Sequence, residues 1–371
     1  MTIYLDNAST TRPDNRVIDL VAAAQREFYG NDASVHIMGV EAGKRTEKAR
    51  QQAAAALNAA PEEIIFTSGG TEANNLALLG ALTGRPGKTH LVLSGMEHAS
   101  VANPVLRLER SGIAVTVVDP DSLGLIDLEA VKRALRPETA LVSVMHANNE
   151  TGVIQPIAEI GGICRRAGVL FHSDACQSFT KAPLDVKECC VDLLTVNSHK
   201  LHGPKGVGAI YIRKGVSLAP LMEGGGHEEG LRPGTRNSPA IAGFGLAITL
   251  STPALTEKTA ALRDFFWERF HKAVPEARLN CAGAPRLPGI LSITLPGISG
   301  AAALVRAMSA RGICLSAGSA CAAGSNEPSR ALKAIGLSDE EALRTIRVSL
   351  SRFNTEEELS LTVKEIAAYA A

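Results

Sequence analysis

Short apolar runs alternate with amphipathic stretches from about residue 60 to residue 215, and this alternation constrains the fold more than any other feature. A short, continuous apolar run is typical of a strand that is buried on both faces of a sheet. Strands separated by helical patterns indicate a largely parallel, doubly wound α/β sheet. The predicted strands are residues 64–66, 91–93, 115–118, 141–144, 169–172, 191–196 and 209–212, and the helical patterns between them include 127–135 and 156–167.

The pattern changes after the glycine-rich segment 224–234. A long helix is predicted for residues 255–273, followed by an antiparallel set of strands at 289–295, 313–316 and 346–351, with helices at 300–311 and 355–370. A chain of 371 residues exceeds the size at which single hydrophobic cores stop growing. We therefore expect a large α/β domain of residues 13–255 and a smaller α+β domain made of residues 1–12 and 256–371.

Composition excludes several classes of function. The 38 basic and 38 acidic residues cancel, so no net field attracts nucleic acid or an anionic membrane. No secretory signal opens the chain, and no apolar run is long enough to span a bilayer. Seven scattered cysteines without a paired Cys-x-x-Cys spacing argue against a disulfide framework and against a closed zinc site. We expect a cytoplasmic protein without a bound metal.

Two predicted strands end in chemically useful residues. The run 169–172 leads into Asp174 and Gln177, and the run 191–196 leads into His199 and Lys200. Ligands of doubly wound sheets bind at the carboxyl ends of strands, so these side chains should meet there. A lysine for a Schiff base and an acid for a pyridinium nitrogen are the groups that hold pyridoxal phosphate. The alternative is that Lys200 is an ordinary loop lysine in solvent.

Three further turns follow predicted strands. Residues 67–75 form a Gly-rich turn before a helix, where backbone amides and the Thr71 hydroxyl could bind a phosphate, although such a turn can also be a plain helix cap. His98 could stack on a pyridine ring or carry protons, or it could face solvent at a helix start. Asn149 could bind cofactor or substrate oxygens, or it could only shape a turn.

Small residues surround Cys321 in the segment 315–329, and Pro328 closes that segment before a helix. Such a segment lacks the apolar side chains that would anchor it in a core, so we expect it to be mobile. A buried structural thiol is the alternative, and it would normally have bulky apolar neighbours.

Taken together, these segments resemble the cysteine desulfurases of the class V aminotransferase group over essentially the whole chain. The resemblance is carried by residues 4–11, 67–75, 97–98, 146–152, 174–177, 199–206, 224–235 and 316–329. It implies a pyridoxal-phosphate enzyme of fold type I that converts L-cysteine to L-alanine. It also implies a homodimer whose sites are completed across the interface.

The resemblance implies a role for each matching residue. Lys200 forms the Schiff base and His98 stacks on the ring, while Asp174 pairs with the ring nitrogen. The other implied roles are Gln177 at the phenolic oxygen, Asn149 near that oxygen and the substrate carboxylate, Gly70, Thr71, Asn197, His199 and the partner subunit's Thr235 at the phosphate, and Arg347 at the substrate carboxylate. Arg352 lies close to Arg347 in sequence, and Arg347 is preferred. Asn197 departs from the serine that is usual at its position.

Cys321 is implied to be the nucleophile that carries a persulfide, as in the long-loop subgroup linked to iron–sulfur cluster supply. A sulfur-acceptor protein is the implied partner, and thiolation is another destination for the sulfur. A selenocysteine lyase and a class V aminotransferase are alternatives within the fold. A non-catalytic binding protein is the alternative outside enzymes, and it would have no reason to keep Asp174, Lys200 and Cys321 together.

Overall fold

A computed structural model of the protein describes residues 2–318 and 327–370. Its largest sheet has seven described strands in the spatial order β2–β8–β7–β6–β5–β3–β4. The strands are β2 (Ile64–Thr67), β3 (His90–Ser94), β4 (Ala114–Val118), β5 (Thr139–Ser143), β6 (Leu170–Asp174), β7 (Leu193–Asn197) and β8 (Gly208–Ile212). Only β8 runs against its two neighbours. The predicted, largely parallel sheet is therefore confirmed, and it belongs to the fold type I class.

Both faces of this sheet are buried, which explains why its strands are apolar throughout. Val142, Phe171 and Leu194 point into one hydrophobic cluster, and their chain neighbours Leu141, Leu170 and Leu193 point into another. The two-residue period of a strand sends successive side chains to opposite faces. The covering helices are α1 (Asn15–Glu27), α2 (Ile37–Leu57), α3 (Gly70–Thr83), α4 (Ala99–Arg110), α5 (Leu128–Ala134), α6 (Ile157–Ala167) and α7 (Ser238–Thr249).

Local sequence sets the ends of several of these helices. The carboxylate of Asp14 accepts a hydrogen bond from Arg16 N and caps α1, and the carboxylate of Asp127 does the same for α5. Helix α6 ends at Gly168, which has a φ of 67°, a conformation that glycine adopts without strain. The predicted helix 127–135 is longer than the observed α5 by one residue at each end. These two residues, Asp127 and Leu135, are the N-cap and the C-cap of the helix.

The second half of the chain forms a smaller antiparallel sheet in the order β12–β13–β10–β9. Its strands are β9 (Arg278–Leu279), β10 (Ile290–Thr294), β12 (Ser316–Ala317) and β13 (Thr345–Ser349), and its helices are α8 (Pro253–Ala273), α9 (Ala301–Ala310), α10 (Arg330–Ala334), α11 (Asp339–Leu343) and α12 (Glu356–Ala370). Phe266, Phe270 and Ile293 lie in its hydrophobic core together with Ile3 and Leu5 from the N-terminus.

The prediction of one antiparallel strand at 313–316 was wrong in its detail. Strand β11 (Ile313–Cys314) pairs in parallel with β1 (Ile3–Tyr4), and the chain then passes to β12, which pairs with β13 in the antiparallel sheet. Buried Leu315 lies between the two short strands. The change of partner cannot be read from the apolar pattern, because that pattern does not show which strand a residue pairs with.

The N-terminal residues share a core with residues 262–366, as the predicted domain division requires, but the boundary at residue 255 stays a prediction. Among the described residues no single helix combines the length and the apolar character needed to cross a membrane, and α7 and α8 meet both requirements only together, as a pair bent by 73°.

Candidate active site

The carboxyl edge of the large sheet borders a cleft of about 600 Å³. Asp174 is the last residue of β6, Lys200 follows β7 by three residues, and His98 stands at the N-terminus of α4. The predicted site residues that line this one cleft are Gly70, Thr71, His98, Asn149, Asp174, Gln177, Asn197, His199 and Lys200. Parallel strands bring residues far apart in sequence to one edge, which is what assembles this set.

The turn that carries Lys200 is fixed by the N-terminal segment. Thr11 donates from its backbone N and from Oγ1 to the carbonyl oxygen of His199, at 2.9 and 2.8 Å, and its Oγ1 accepts from the backbone N of His202 at 2.8 Å. Burial and then the positive charge of Lys200 lower the pKa of His199 to about 4. His199 is therefore a neutral imidazole beside the lysine at pH 7.

Asp174 is a buried carboxylate that the surrounding donors keep ionised. Oδ1 accepts a hydrogen bond from the backbone N of Cys176, and Oδ2 accepts one from Asn74 Nδ2, each at 2.8 Å. Burial alone would raise the pKa of this carboxyl, but these hydrogen bonds hold the pKa below its usual range. A fixed negative charge in the cleft suits a protonated nitrogen of a ligand.

His98 has a defined tautomer. The backbone N of Ser100 donates to His98 Nδ1 at 3.1 Å, and Ser100 Oγ lies 2.8 Å from the same atom. An amide can only donate, so Nδ1 is the acceptor and the ring proton is on Nε2. Burial and the charge of Lys200 lower the pKa of His98, while Asp174 acts in the opposite sense. The ring is therefore a neutral, oriented imidazole.

The glycine-rich turn provides a cradle at the start of α3. Gly69 gives this helix no side-chain cap, so the helix begins with backbone amides directed at the cleft. A Cβ at Gly70 would lie 2.6 Å from Cys176 Sγ, so only glycine allows this close approach. The turn thus suits an anionic oxygen-rich group.

Arg347, on β13, is buried next to the cleft and contacts residues of the N-terminal segment and of the turn that holds Asn149. Nη1 donates to the backbone oxygen of Asn149 at 2.9 Å, and Nη2 donates to Asp6 Oδ1 at 2.8 Å and to Ser9 Oγ at 2.6 Å. Asn149 and Ser9 both line the cleft. Its Nε is buried and has no partner among the described atoms.

Arg352 occupies a different place. Its guanidinium pairs with Asp14 at 2.7 Å and donates to the backbone oxygen of Leu250. It lines a second cleft of about 630 Å³ that shares Gln177 and Lys200 with the first. In the first cleft, one N–H of Gln177 is used by the Ala8 carbonyl, at 2.7 Å, and its second N–H remains for another oxygen.

Besides Arg347, which reaches the cleft only through Asn149 and Ser9, two predicted site residues are absent from its described lining. Thr235 is exposed and is absent from the cleft lining, as a residue that serves a neighbouring subunit would be. Cys321 lies outside the described residues.

Sequence reasoning missed several residues that contact the predicted ones. Asn74 and Ser100 connect Asp174 with His98, and Cys176 lines the cleft next to Gly70. Asn74 lies within one of the turns considered above, but its partners Ser100 and Asp174 are 26 and 100 residues away in sequence.

Glu97 is another missed residue. It is buried beside His98 and accepts hydrogen bonds from Ser94 Oγ and Met145 N at Oε1, while Oε2 has no partner among the described atoms. Burial raises the pKa of Glu97 to about 8, and repulsion from Asp174 acts in the same sense. Glu97 is therefore a neutral acid at pH 7.

The donor set fits pyridoxal phosphate. An amine (Lys200), a buried carboxylate (Asp174) and an oriented imidazole (His98) border the same cleft as the glycine-rich helix start. These groups match the aldehyde, the ring nitrogen, the ring face and the phosphate of that cofactor. The space that only Gly70 leaves open supports the same fit.

Comparisons with known proteins agree with this geometry. The Aminotransferase class-V family profile matches residues 3–361. "Cysteine desulfurase 2" of Trichormus variabilis is 44% identical over 359 residues, which cover 96% of this chain and 90% of that protein. A solved NifS-like protein superposes with a TM-score of 0.91 at 36% identity, covering 100% of this chain and 99% of its own. A solved "SspA in complex with cysteine" has a TM-score of 0.84 at 37% identity and covers 95% of this chain and 100% of its own.

Proposed function

Because the chain belongs to the class-V aminotransferase family and is a pyridoxal-phosphate-dependent cysteine desulfurase, we propose that its cleft removes the sulfur atom of L-cysteine and passes it to Cys321. The observation that carries this proposal is the convergence of Lys200, Asp174 and His98 on one cleft at the carboxyl edge of the sheet. The similar SspA was solved with cysteine, which supports the choice of substrate.

The cofactor site is the first part of the proposal. When bound, pyridoxal phosphate supplies a ring that withdraws electrons from the substrate α-carbon. Asp174 holds a proton on the ring nitrogen, because its carboxylate is fixed in the ionised form. Neutral His98 lies against the ring with its proton on Nε2. The first-turn amides at Gly70 and the Thr71 hydroxyl bind the phosphate.

The remaining contacts complete that site. Asn197 and His199 lie on the phosphate side, and Gln177 donates its second N–H to the phenolic oxygen. Lys200 provides the amine that holds the cofactor covalently, and the Thr11 contacts fix the turn on which that amine is carried.

Substrate recognition is assigned to Arg347 and Asn149. The guanidinium donates to the backbone oxygen of Asn149 at 2.9 Å, so it lies directly behind a residue that lines the cleft. A guanidinium that already contacts Asp6 keeps a fixed orientation and can receive a carboxylate at its remaining N–H groups. Arg347 is preferred to Arg352 because it contacts Asn149 and Ser9, which line the first cleft, whereas Arg352 lines the second cleft.

The chemical steps of the chain's own residues follow from these positions. The Lys200 amine, once displaced by the substrate amine, takes the α-proton of cysteine. The Cys321 thiolate then attacks the substrate sulfur, so that the Cβ–S bond breaks and an S–S bond forms. The products are L-alanine and a persulfide on Cys321. No external oxidant is needed, because the electron pair of the broken C–S bond stays with carbon and is protonated.

Three of the described thiols are poor candidates for this step. Burial raises the pKa of Cys164 to about 12 and the pKa of Cys281 to about 11, and burial also raises the pKa of Cys176. Protonated thiols are weak nucleophiles. Cys321 lies among small residues in a sequence with no apolar anchor, which supports its assignment.

Two assays test the proposal. The protein should release alanine from L-cysteine without consuming a keto acid, whereas an aminotransferase would consume one. Lys200→Ala should lose the visible absorbance of the covalently held cofactor together with turnover, while Lys205→Ala, an exposed lysine of the same segment, should keep both. Keto-acid-dependent turnover would contradict the proposal.

We also propose a homodimer in which each cleft receives the partner subunit's Thr235. Thr235 is exposed, and Tyr29, Val35 and Ile37 are exposed apolar residues. Large exposed apolar side chains often mark a contact between subunits. Sedimentation should give a dimer, and Thr235→Ala should weaken cofactor binding; a monomer that keeps full cofactor affinity would contradict this part.

The destination of the sulfur and the compartment are the last parts of the proposal. A persulfide on a segment of small residues can be handed to an acceptor protein, for iron–sulfur cluster assembly or for thiolation. The described cysteines are free thiols, which suits a reducing cytoplasm. Transfer of labelled sulfur from cysteine into clusters or thiolated RNA of a native cell extract tests the destination.

A further inference from the structure

One asparagine side chain joins the two polar groups that flank the proposed ring site. Asn74 Nδ2 donates to Asp174 Oδ2 and to Ser100 Oγ, each at 2.8 Å. Ser100 Oγ in turn lies 2.8 Å from His98 Nδ1. The chain of contacts therefore runs from Asp174 through Asn74 and Ser100 to His98 without leaving the protein.

The direction of each hydrogen bond in this chain is determined. Asp174 is ionised and can only accept, so the Asn74 amide must present its nitrogen to it. The second N–H of Asn74 occupies an acceptor position of Ser100 Oγ, which leaves the Ser100 proton to point at His98 Nδ1. The opposite orientation of the Asn74 amide would place its oxygen against the carboxylate.

The buried position of Asn74 is unfavourable for its side-chain oxygen. The residue is fully buried, and its Oδ1 has no hydrogen-bond partner among the described atoms. An unsatisfied buried amide oxygen is unfavourable, so a leucine would pack there more easily if nothing but packing mattered. The two donated bonds are what the asparagine provides and a leucine cannot.

We propose that Asn74 and Ser100 are positioning residues that hold Asp174 ionised and His98 in its Nε2–H form. This inference rests on the proposed roles of Asp174 and His98. Asn74 would act on Asp174 through a direct hydrogen bond and on His98 through the Ser100 hydroxyl. Neither residue needs to touch the substrate for this role.

The groups around Asp174 must be counted in any test that varies pH. The titratable side chains that face it or interact with it are His98, His172, Cys176, Glu97 and, in the same cleft, Lys200. Of these, only His98 lies at the far end of the Asn74–Ser100 chain. A variant at Asn74 should therefore affect the titrations of Asp174 and of His98, and a variant at Ser100 should affect the titration of His98.

The experiment uses the holoenzyme and two readouts that do not depend on turnover. The first is the visible spectrum of the bound cofactor as a function of pH, with its dissociation constant. The second is the titration of His98 followed by the nitrogen NMR signals of labelled histidine, identified by their loss in His98→Gln. The variants are Asn74→Leu, Asn74→Asp and Ser100→Ala.

Protonation of Asp174 should appear as a transition in the visible spectrum of the bound cofactor at acidic pH. We expect Asn74→Leu to raise the midpoint of this transition by about 1–2 pH units, as for loss of a hydrogen bond to a charged group. The same variant should weaken cofactor binding roughly 10- to 100-fold. Asn74→Asp, which keeps the size of the side chain, should move the transition in the same direction. Ser100→Ala should leave that transition in place and raise the titration of His98 by up to about 1 pH unit.

Asn280→Leu is the matched control. Asn280 is a buried amide that bonds Ser292 and Thr294 in the small sheet, outside the cleft, so it reports the general effect of losing such an amide. Unchanged transitions in both Asn74 variants, or an equal shift in Asn280→Leu, would overturn the inference. If the wild-type protein bound no cofactor, the proposed function itself would fail, so the two failures are distinguishable.

Discussion

Glu97 allows a quantitative test of the electrostatics beside the candidate site. Its carboxyl is buried, and its pKa is raised from 4.5 to about 8 by burial, with repulsion from Asp174 acting in the same sense. In Glu97→Gln, Oε1 still accepts from Ser94 and Met145, and the amide replaces a neutral acid of nearly the same shape. The substitution therefore removes the titration and keeps the packing.

The sign and the size of the effect follow from proton binding. Between the unfolded pKa of 4.5 and the folded pKa of about 8, the folded state binds one proton more than the unfolded state. The free energy of unfolding should therefore fall as pH rises, by about 1.4 kcal/mol per pH unit from this group. From about pH 6 to about pH 7.5 the wild-type protein should lose roughly 2 kcal/mol that Glu97→Gln does not lose.

The assay is urea denaturation followed by circular dichroism at the two pH values. Glu62→Gln, at an exposed carboxyl, is the control for a general loss of charge and should follow the wild type. Parallel pH dependence of Glu97→Gln and the wild type would refute the reasoning, because Glu97 would then be ionised in the folded protein.

Two further substitutions test other parts of the structure. Arg347→Lys keeps the charge but loses the fork that contacts Asn149 and Asp6, so the KM for L-cysteine should rise roughly 10- to 100-fold with a smaller change in kcat. Arg352→Lys is its control in steady-state kinetics, and an equal effect in both would remove the assignment. Glu228→Gln should lower the free energy of unfolding by about 3–5 kcal/mol, because the fully buried carboxylate pairs with Arg50 and Arg236 and accepts from Phe66 N. Urea denaturation measures this loss; Glu229→Gln, at the exposed neighbour, should cost little, and an equal loss in both would contradict the prediction.

The large sheet could be predicted from sequence because its strands are buried on both faces. Apolar runs such as 141–144 and 191–196 carry that signal without any knowledge of neighbouring strands. The chain passage from β11 to β12 could not be predicted, since the two short strands are separated by Leu315 alone and the sequence does not show that they pair with different partners.

Some residues of the candidate site could likewise be predicted from the sequence, and others could not. Lys200, Asp174 and His98 follow strands, so the rule that ligands bind at carboxyl ends was enough to predict that they meet. The role of Asn74 could not be predicted, because its partner Asp174 lies 100 residues away and the bond depends on how α3 packs against the sheet. The pKa of Glu97 likewise depends on burial, which one sequence motif does not reveal.

The sulfur-accepting role of Cys321 is the central claim, and mass spectrometry of the protein after reaction with L-cysteine tests it most directly. Without reductant, the peptide that contains Cys321 should gain one sulfur atom. Cys321→Ala should keep the cofactor absorbance and form no persulfide, while Cys314→Ala, at the half-buried thiol of β11, should behave as the wild type. Wild-type desulfuration by Cys321→Ala, or the added sulfur on another cysteine, would contradict the account.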